Sequence, residues 1–352
     1  MLAALLLAFL FTLPLAAVAS PGTAPTAGTS VAEPSAASAP IAPDHLPDLE
    51  EVEVTGEQPG PALWKVTLPA SATGSTEPHV LWILGTLRPL PRKMEWRPAA
   101  VERVLTGAEV FIPYQPDIDV KAGPFALVGL FFSARGALKD PDGQPLRETL
   151  PAPLYTRFTV LKARYAPRAG SMEKRRPAIA AMELYREALD AVKLSMRLDV
   201  EGLVARQARK RGVKVRPVKM TMTDPKAVLA ELTALPRSAE LACVEATLTR
   251  LETDLGPMRA RAEAWAEGDL TALGRLPFPA QETTCGDAIA TSPRFKALLM
   301  QARAGWLEAV SSALREHRVS VATAPVQSLL RPGGIADQLA SRGFLVEAPT
   351  AD

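Results

Sequence analysis

The chain has 352 residues, of which 47% are hydrophobic, so it is long enough for one large domain or two ordinary ones. Its 40 basic and 38 acidic residues leave a net charge of only +2, and aromatic residues make up 5%. A strong positive field and base-stacking surfaces are therefore both missing, and we expect no nucleic-acid partner.

The N-terminus begins with the apolar run "MLAALLLAFLFTLPLAAVAS". Pro14 and the small residues before Ala19 are typical of a signal peptide, which predicts residues 1–19 as the signal. The alternative is an uncleaved membrane anchor, because the run is about as long as the shortest membrane spans. Cleavage would leave no membrane span and would place the protein in a bacterial periplasm or outside the cell.

Residues 20–60 are rich in Ala, Pro, Ser and Thr, and we expect a disordered leader and linker before a domain at 61–349. Alternating residues predict strands at 51–56 and 62–68. A longer apolar strand follows at 79–85, then a helix at 97–108 and a strand at 108–114. The strand–helix–strand order indicates a βαβ unit.

The apolar segment 123–138 has a length that suits a buried segment of a soluble domain. From about residue 150 to 318 the pattern is mainly helical, interrupted by one predicted strand, "VKVRPVKM". A long apolar stripe over 241–265 predicts two helices that break at Gly256-Pro257. The chain then returns to a strand at "VSVATAP", a short helix and a final strand. We therefore predict an α/β (mixed α+β) fold, with a central mixed sheet of N- and C-terminal strands and a large helical middle.

Two cysteines, Cys243 and Cys285, are consistent with an oxidising compartment. A disulfide between them would close a loop of about forty residues and would contribute at most roughly 4 kcal/mol. Two unpaired buried thiols are the alternative. A zinc site needs more ligands than two cysteines supply.

Sequence motifs for common catalytic sites are missing. The three histidines, His45, His79 and His317, are far apart and have no paired metal-binding spacing. No nucleophile elbow of the GxSxG type and no phosphate-binding loop occurs. We therefore expect neither a metal nor another cofactor. The basic stretch 162–219 reads either as a solvated helix face or as a patch for anionic polymers.

Several segments resemble one known family when they are taken in order. They are "ALWKV", "HVLWILGTLRPLP", "RPAIAAMELYREAL", "AWAEGDLTAL", "QARAGWLEAV" and "GGIADQLASRGFLVE". Together they are similar to the TraB/GumN family, which is related to the TIKI-type metalloproteases. The resemblance covers essentially all of the predicted domain. It implies a mixed α/β fold with two Gly-x-x-His elements and a glutamate that hold a divalent metal for hydrolysis.

This chain departs from that pattern at each of those positions. The first element falls on Gly85-Thr86-Leu87-Arg88, so arginine replaces histidine. The second falls on Pro325-Val326-Gln327-Ser328, where proline replaces glycine and serine replaces histidine. The expected glutamate falls on Pro113, and a later acidic position falls near Lys219. Arginine stays protonated and proline has no side-chain donor, so the metal mechanism does not transfer.

The main hypothesis is a catalytically degenerate pseudoenzyme that binds an anionic envelope glycan or a protein partner. Arg88, Lys219 and Ser328 are its candidate ligand-binding residues. For Arg88 the alternative is a structural arginine that caps carbonyl groups at the strand end.

The second hypothesis is a divergent hydrolase without a histidine site. A carboxylate from Glu95, Glu102 or Glu109, or the hydroxyl of Ser328, would then carry the chemistry. A third reading, an accessory role in exopolysaccharide production, follows only from the family name.

Overall fold

The structure is a computed structural model that describes residues 60–94, 97–276, 278 and 281–349. The predicted signal peptide, almost all of the leader, the predicted strand at 51–56 and the candidate Glu95 lie outside these residues.

The described residues form ten strands and fifteen α-helices. The strands are β1 (Leu63–Leu68), β2 (His79–Thr86), β3 (Leu90–Pro91), β4 (Val110–Ile112), β5 (Asp117–Val120), β6 (Leu194–Ser195), β7 (Lys214–Val215), β8 (Lys219–Met222), β9 (Val319–Pro325) and β10 (Leu345–Glu347). The first helices are α1 (Ala70–Thr73), α2 (Ala99–Thr106), α3 (Pro124–Ala137), α4 (Leu146–Thr149), α5 (Ala152–Tyr165), α6 (Pro177–Ala191), α7 (Val200–Lys210) and α8 (Pro225–Thr233). The remaining helices are α9 (Arg237–Thr253), α10 (Leu255–Glu267), α11 (Leu270–Arg275), α12 (Gln281–Ala290), α13 (Pro293–Glu316), α14 (Val326–Leu330) and α15 (Ile335–Ala340).

A six-stranded mixed sheet in the order β10-β1-β2-β9-β4-β7 forms the centre of the fold. β1 runs antiparallel to β2 and β10, whereas β2, β9, β4 and β7 run parallel to one another. β9 is buried over five consecutive residues, as expected for a parallel strand covered on both faces. The predicted fold class and the joining of N- and C-terminal strands are confirmed.

Three local predictions need correction. The segment "VKVRPVKM" is not one strand, because Pro217 lacks the N–H that a continuous ladder would need, and β7 and β8 join different sheets. The break between α9 and α10 lies at Asp254, just before the predicted Gly256-Pro257. The apolar segment 123–138 forms α3, but Phe125 is 91% exposed and Phe132 is 66% exposed, so the expected burial was wrong for this face.

The predicted disulfide is present between Cys243 on α9 and Cys285 on α12, with the sulfur atoms 2.11 Å apart. It joins two helices of the layer that the middle of the chain forms. Buried ion pairs connect the same layer: Arg176 Nε lies 2.9 Å from Glu240 Oε1, and both side chains are nearly inaccessible. Within the described residues, no helix is both long enough and apolar enough to cross a membrane.

Candidate functional site

The carboxyl ends of four parallel strands meet at one edge of the main sheet, and the positions singled out from the sequence follow these ends. Arg88 follows β2, Ser328 follows β9, Pro113 follows β4, and Lys219 lies beyond β7. The ladder pairs Gly85 with Ala324 and Thr86 with Pro325, so the two degenerate Gly-x-x-His elements are neighbours. The fold thus brings together segments that are up to 240 residues apart, at the edge where open α/β sheets bind ligands.

Gly85 occupies a place in the sheet where no side chain fits. A Cβ atom there would lie 2.7 Å from Cζ3 of Trp64 and 3.1 Å from Cγ2 of Val326. The Gly85 carbonyl oxygen accepts a hydrogen bond of 2.7 Å from the buried indole N–H of Trp265. The glycine therefore lets a tryptophan and α14 pack directly on the strand and fixes where the following loop begins.

Arg88 is held by neighbouring polar groups. Its Nη2 lies 3.8 Å from Oδ1 of Asp199, the residue that caps the N-terminus of α7. The Gln115 side chain is satisfied when its oxygen faces the guanidinium, and it then accepts from Nη1 at 2.9 Å and Nη2 at 3.1 Å. The Arg88 side chain is 19% exposed, and the following Arg88–Pro89 peptide bond is cis. Part of the charge of Arg88 is therefore already compensated within the chain.

A buried carboxyl group, Glu201, lies beside Arg88 at this edge. Glu201 is 7% exposed, and its Oε2 accepts a hydrogen bond of 3.1 Å from the backbone N–H of Gln115. Burial raises the pKa of Glu201, although the Gln115 N–H and the positive charge of Arg88 act in the opposite direction. The sequence reading missed this residue, because "DVEG" reads as an ordinary acidic first turn of a helix.

Two further arginines, Arg303 on α13 and Arg331 directly after α14, were also missed. Both are partly buried, and the positive charge of Arg303 contributes to the lowered pKa of Arg331, for which burial is the larger cause. The described residues contain no carboxylate within salt-bridge distance of either guanidinium. Among the cations near this edge, these two differ from Arg88 in lacking a compensating acid.

The remaining candidates have different environments. Ser328 is 6% exposed within α14, whereas Lys219 is exposed on β8, where it is paired in register with Asp117 of β5. Pro113 directly follows β4, and Pro325 ends β9. These four residues therefore place one buried hydroxyl, one exposed ammonium and two prolines at or near the positions where the resemblance implies metal ligands.

The carboxylates considered for a divergent hydrolase lie elsewhere. Glu109 precedes β4, and its N–H donates to the carbonyl of Val319, so it belongs to the amino edge of the sheet. Its Oε2 lies 3.0 Å from Nδ1 of His317. Glu102 faces Arg211 at 3.5 Å. Neither acid is placed to act together with Ser328 at the carboxyl edge.

The side chains at this edge do not fit the divalent metal that the resemblance implies. A guanidinium stands where an imidazole is needed, and prolines replace a glycine and the glutamate. The two described histidines are at the amino edge, where His79 Nδ1 contacts the Leu314 carbonyl at 2.8 Å. Within the described residues, no group of three or more His, Cys, Asp or Glu side chains gathers as a metal set.

A model of the TraB/PrgY/gumN family matches residues 62–348, which is most of the chain. No curated protein matches the chain, and no solved structure matches it either. The family match begins and ends within two residues of the predicted domain limits.

Proposed function

Since the chain belongs to the TraB/PrgY/gumN family, we propose that it is an exported member that recognises an anionic ligand instead of carrying out metal-dependent hydrolysis. The observation that carries the proposal is that Arg88 stands at the first expected metal-ligand position and that further arginines lie near the same edge. Arg88 stands where the family has its first histidine, and Arg303 and Arg331 add two uncompensated charges near the same edge. A site that is lined by guanidinium groups would repel a metal ion but attract an anion.

Export is supported by the N-terminal sequence and by the disulfide. The Cys243–Cys285 bond would be stable in a periplasm or outside a cell, and it would be reduced in most cytosols. A ligand that a guanidinium-lined site recognises in that compartment would carry carboxylate or phosphate groups. We therefore place an anionic envelope glycan first among the ligands, with a protein partner as the alternative.

The roles of the edge residues follow from their surroundings. Arg88 is held by Asp199 and Gln115, so we assign it to shaping the floor of the site and to offering its remaining N–H groups. Lys219 is exposed and adds long-range attraction. Ser328 is buried beside the second degenerate element and supplies one hydroxyl.

The proposal is tested by titrating the chelator-treated protein with a polyuronate, using a neutral glucan as the control ligand. Binding of the polyuronate is expected to weaken by at least about tenfold between 0.05 and 0.5 M salt, because exposed charges are screened. Lys219→Met is expected to reduce the association rate, whereas Arg318→Met at the amino edge should not. Equal binding of both polymers, or binding that does not depend on salt, would overturn the proposal.

One observation favours a second candidate function, a hydrolase with a carboxylic acid as its proton donor. A buried carboxyl group with a raised pKa, such as Glu201, has the property that a general acid needs. Turnover of glycan esters or peptides by the chelator-treated protein would support this function if Glu201→Gln abolished it and Glu102→Gln did not. If the wild-type protein turns over neither glycan esters nor peptides, the hydrolase function is rejected and ligand recognition remains.

A further inference from the structure

Tyr114 directly follows Pro113 in the segment after β4, and at the carboxyl edge it contacts both β9 and α13. Its backbone N–H donates to Oγ1 of Thr323 in β9 at 3.1 Å. Its ring packs edge-on against Trp306 of α13, with the centroids 5.4 Å apart. Arg303 lies one turn before Trp306 on the same helix, so the two side chains share a face. Arg331 reaches the same region from the end of α14.

Two hydrogen-bond donors in this region have no acceptor among the described residues. They are Nη2 of Arg331 and Nε1 of Trp306, and both atoms are buried. The Trp306 side chain is 0% exposed. The N–H groups of a guanidinium and of an indole can only donate, so each of these two atoms needs an acceptor. Buried donors of this kind are nearly always satisfied in folded proteins, so each needs an acceptor from outside the chain, either an ordered water or a group of a bound ligand.

The positive charges of Arg303 and Arg331 also favour an acceptor from outside the chain, and one that is negatively charged. Arg303 and Arg331 repel each other, and the described carboxylates compensate neither of them. Burial raises the pKa of Tyr114 to about 12, although the positive charges of Arg303 and Arg331 act in the opposite direction. The Tyr114 hydroxyl therefore stays protonated at neutral pH and can donate. The buried Glu201 carboxyl also acts on Tyr114 and raises its pKa, but within the described residues it forms no salt bridge with Arg303 or Arg331. The region therefore offers cations and donors that no carboxylate of the described chain pairs with.

We propose that Arg303, Arg331, Trp306 and Tyr114 form a subsite for one oxyanion, the carboxylate or phosphate group of a ligand bound at the carboxyl edge. Guanidinium groups bind such groups through two parallel N–H bonds, and an oxyanion has acceptors left for an indole and a phenol. The subsite rests on the proposed function and deepens it, because it names where the negative group of the ligand is held. Arg88, compensated by Asp199, is outside this set.

The probe for the subsite is inorganic phosphate, with acetate as the carboxylate arm and chloride at equal ionic strength as the reference. The purified full chain is titrated by calorimetry, and its thermal unfolding is followed in the three salts. The wild type is expected to unfold at a higher temperature in phosphate or acetate than in chloride. The stronger of the two arms identifies the kind of oxyanion that the subsite prefers.

Arg331→Met is the decisive variant, because it keeps the length of the side chain and removes the charge. We expect it to weaken phosphate or acetate binding by about 10- to 100-fold, the effect of losing a charge-assisted hydrogen bond. Trp306→Phe keeps an aromatic ring and removes one neutral donor, for which about 2- to 10-fold is expected. Without added anion, Arg331→Met should unfold at an equal or higher temperature than the wild type, since an uncompensated charge is lost.

Arg318→Met is the matched control. Arg318 is an exposed arginine at the amino edge that pairs with Glu77, so the variant removes the same charge far from the subsite. Its phosphate binding should equal that of the wild type. Equal loss in Arg331→Met and Arg318→Met would overturn the subsite, because the effect would then be one of net charge.

Three other outcomes separate this inference from the proposed function. If Arg331→Met binds phosphate and acetate like the wild type while Arg88→Met does not, the subsite is wrong and an anion-binding edge remains. If neither anion binds the wild type but the polyuronate binds in a salt-dependent way, the subsite is again overturned and the proposed function stands. If the polyuronate does not bind the wild type but phosphate does, and Arg331→Met removes the phosphate binding, the glycan ligand is contradicted and the subsite is supported.

Discussion

Removing the disulfide offers a quantitative test of how the helical layer is stabilised. Cys243 and Cys285 are separated by 42 positions, and both are almost fully buried. In the chain-entropy model, closing a loop of this length removes about 13 cal/mol/K from the unfolded state, or about 4 kcal/mol at 25 °C. For a domain of this size, that corresponds to a decrease of roughly 7 °C in the unfolding temperature.

The assay is urea unfolding of the oxidised wild type, the reduced wild type and the double variant Cys243→Ala/Cys285→Ala. The two proteins without the bond are expected to be less stable than the oxidised wild type by about 3–4 kcal/mol, and similar to each other. A loss below about 1 kcal/mol in both would refute the reasoning, because loop closure would then contribute little. If only the double variant has a lower free energy of unfolding, the effect arises from the lost packing of the sulfur atoms and not from loop closure.

Three further perturbations test separate parts of the structure. Glu240→Gln leaves the buried Arg176 without its carboxylate, and urea unfolding should show a loss of about 3–5 kcal/mol. Gly85→Ala places a methyl group against Trp64, and the same assay should show a loss of about 1–3 kcal/mol. The hydrogen bond with His317 lowers the pKa of Glu109, so this carboxylate stabilises the fold above the ordinary glutamate pKa and ceases to do so as the pH falls through the lowered value. Glu109→Gln should therefore cost below about 1 kcal/mol at pH 7, and this difference should vanish in acid.

Two of these variants have a matched comparison in the chain. Lys65→Met breaks the exposed pair with Glu347 and should cost less than about 1 kcal/mol, in contrast to Glu240→Gln. Gly107→Ala adds a methyl group where no atom lies within contact distance, so it should be tolerated. A stability difference for Glu109→Gln that persists unchanged at low pH would contradict the assigned pKa direction.

The sequence is most informative where a local pattern and the tertiary environment agree. The run of apolar residues before Gly85 predicts a buried strand, and β2 is such a strand because it lies between β1 and β9 in the sheet and the helices α13 and α14 pack on it. The same logic fails for α3, whose apolar composition suggests burial although Phe125 and Phe132 face outward. Composition describes what a segment would bury, but the presence of a covering partner is a property of the whole fold.

The residues of the candidate site also divide into those that the sequence identifies and those that only the fold reveals. The sequence identifies Arg88 and Ser328 because their chemistry departs from a recognisable motif. It does not identify Glu201, Arg303 or Arg331, because each reads locally as an ordinary charge on a helix or at a helix end. What makes them notable is desolvation and the neighbours they acquire, and both arise from contacts between segments that are distant in sequence.

The central claim is that the carboxyl edge binds an oxyanion and not a metal ion. The most direct test is calorimetric titration of untagged, chelator-treated wild-type protein with phosphate, acetate and, separately, Zn²⁺ at matched ionic strength. Phosphate or acetate is expected to bind saturably to the wild type and not to Arg331→Met, and Zn²⁺ is not expected to bind at one ion per chain. Stoichiometric Zn²⁺ binding that Glu201→Gln or Asp199→Asn abolishes, without binding of either anion, would contradict the central claim.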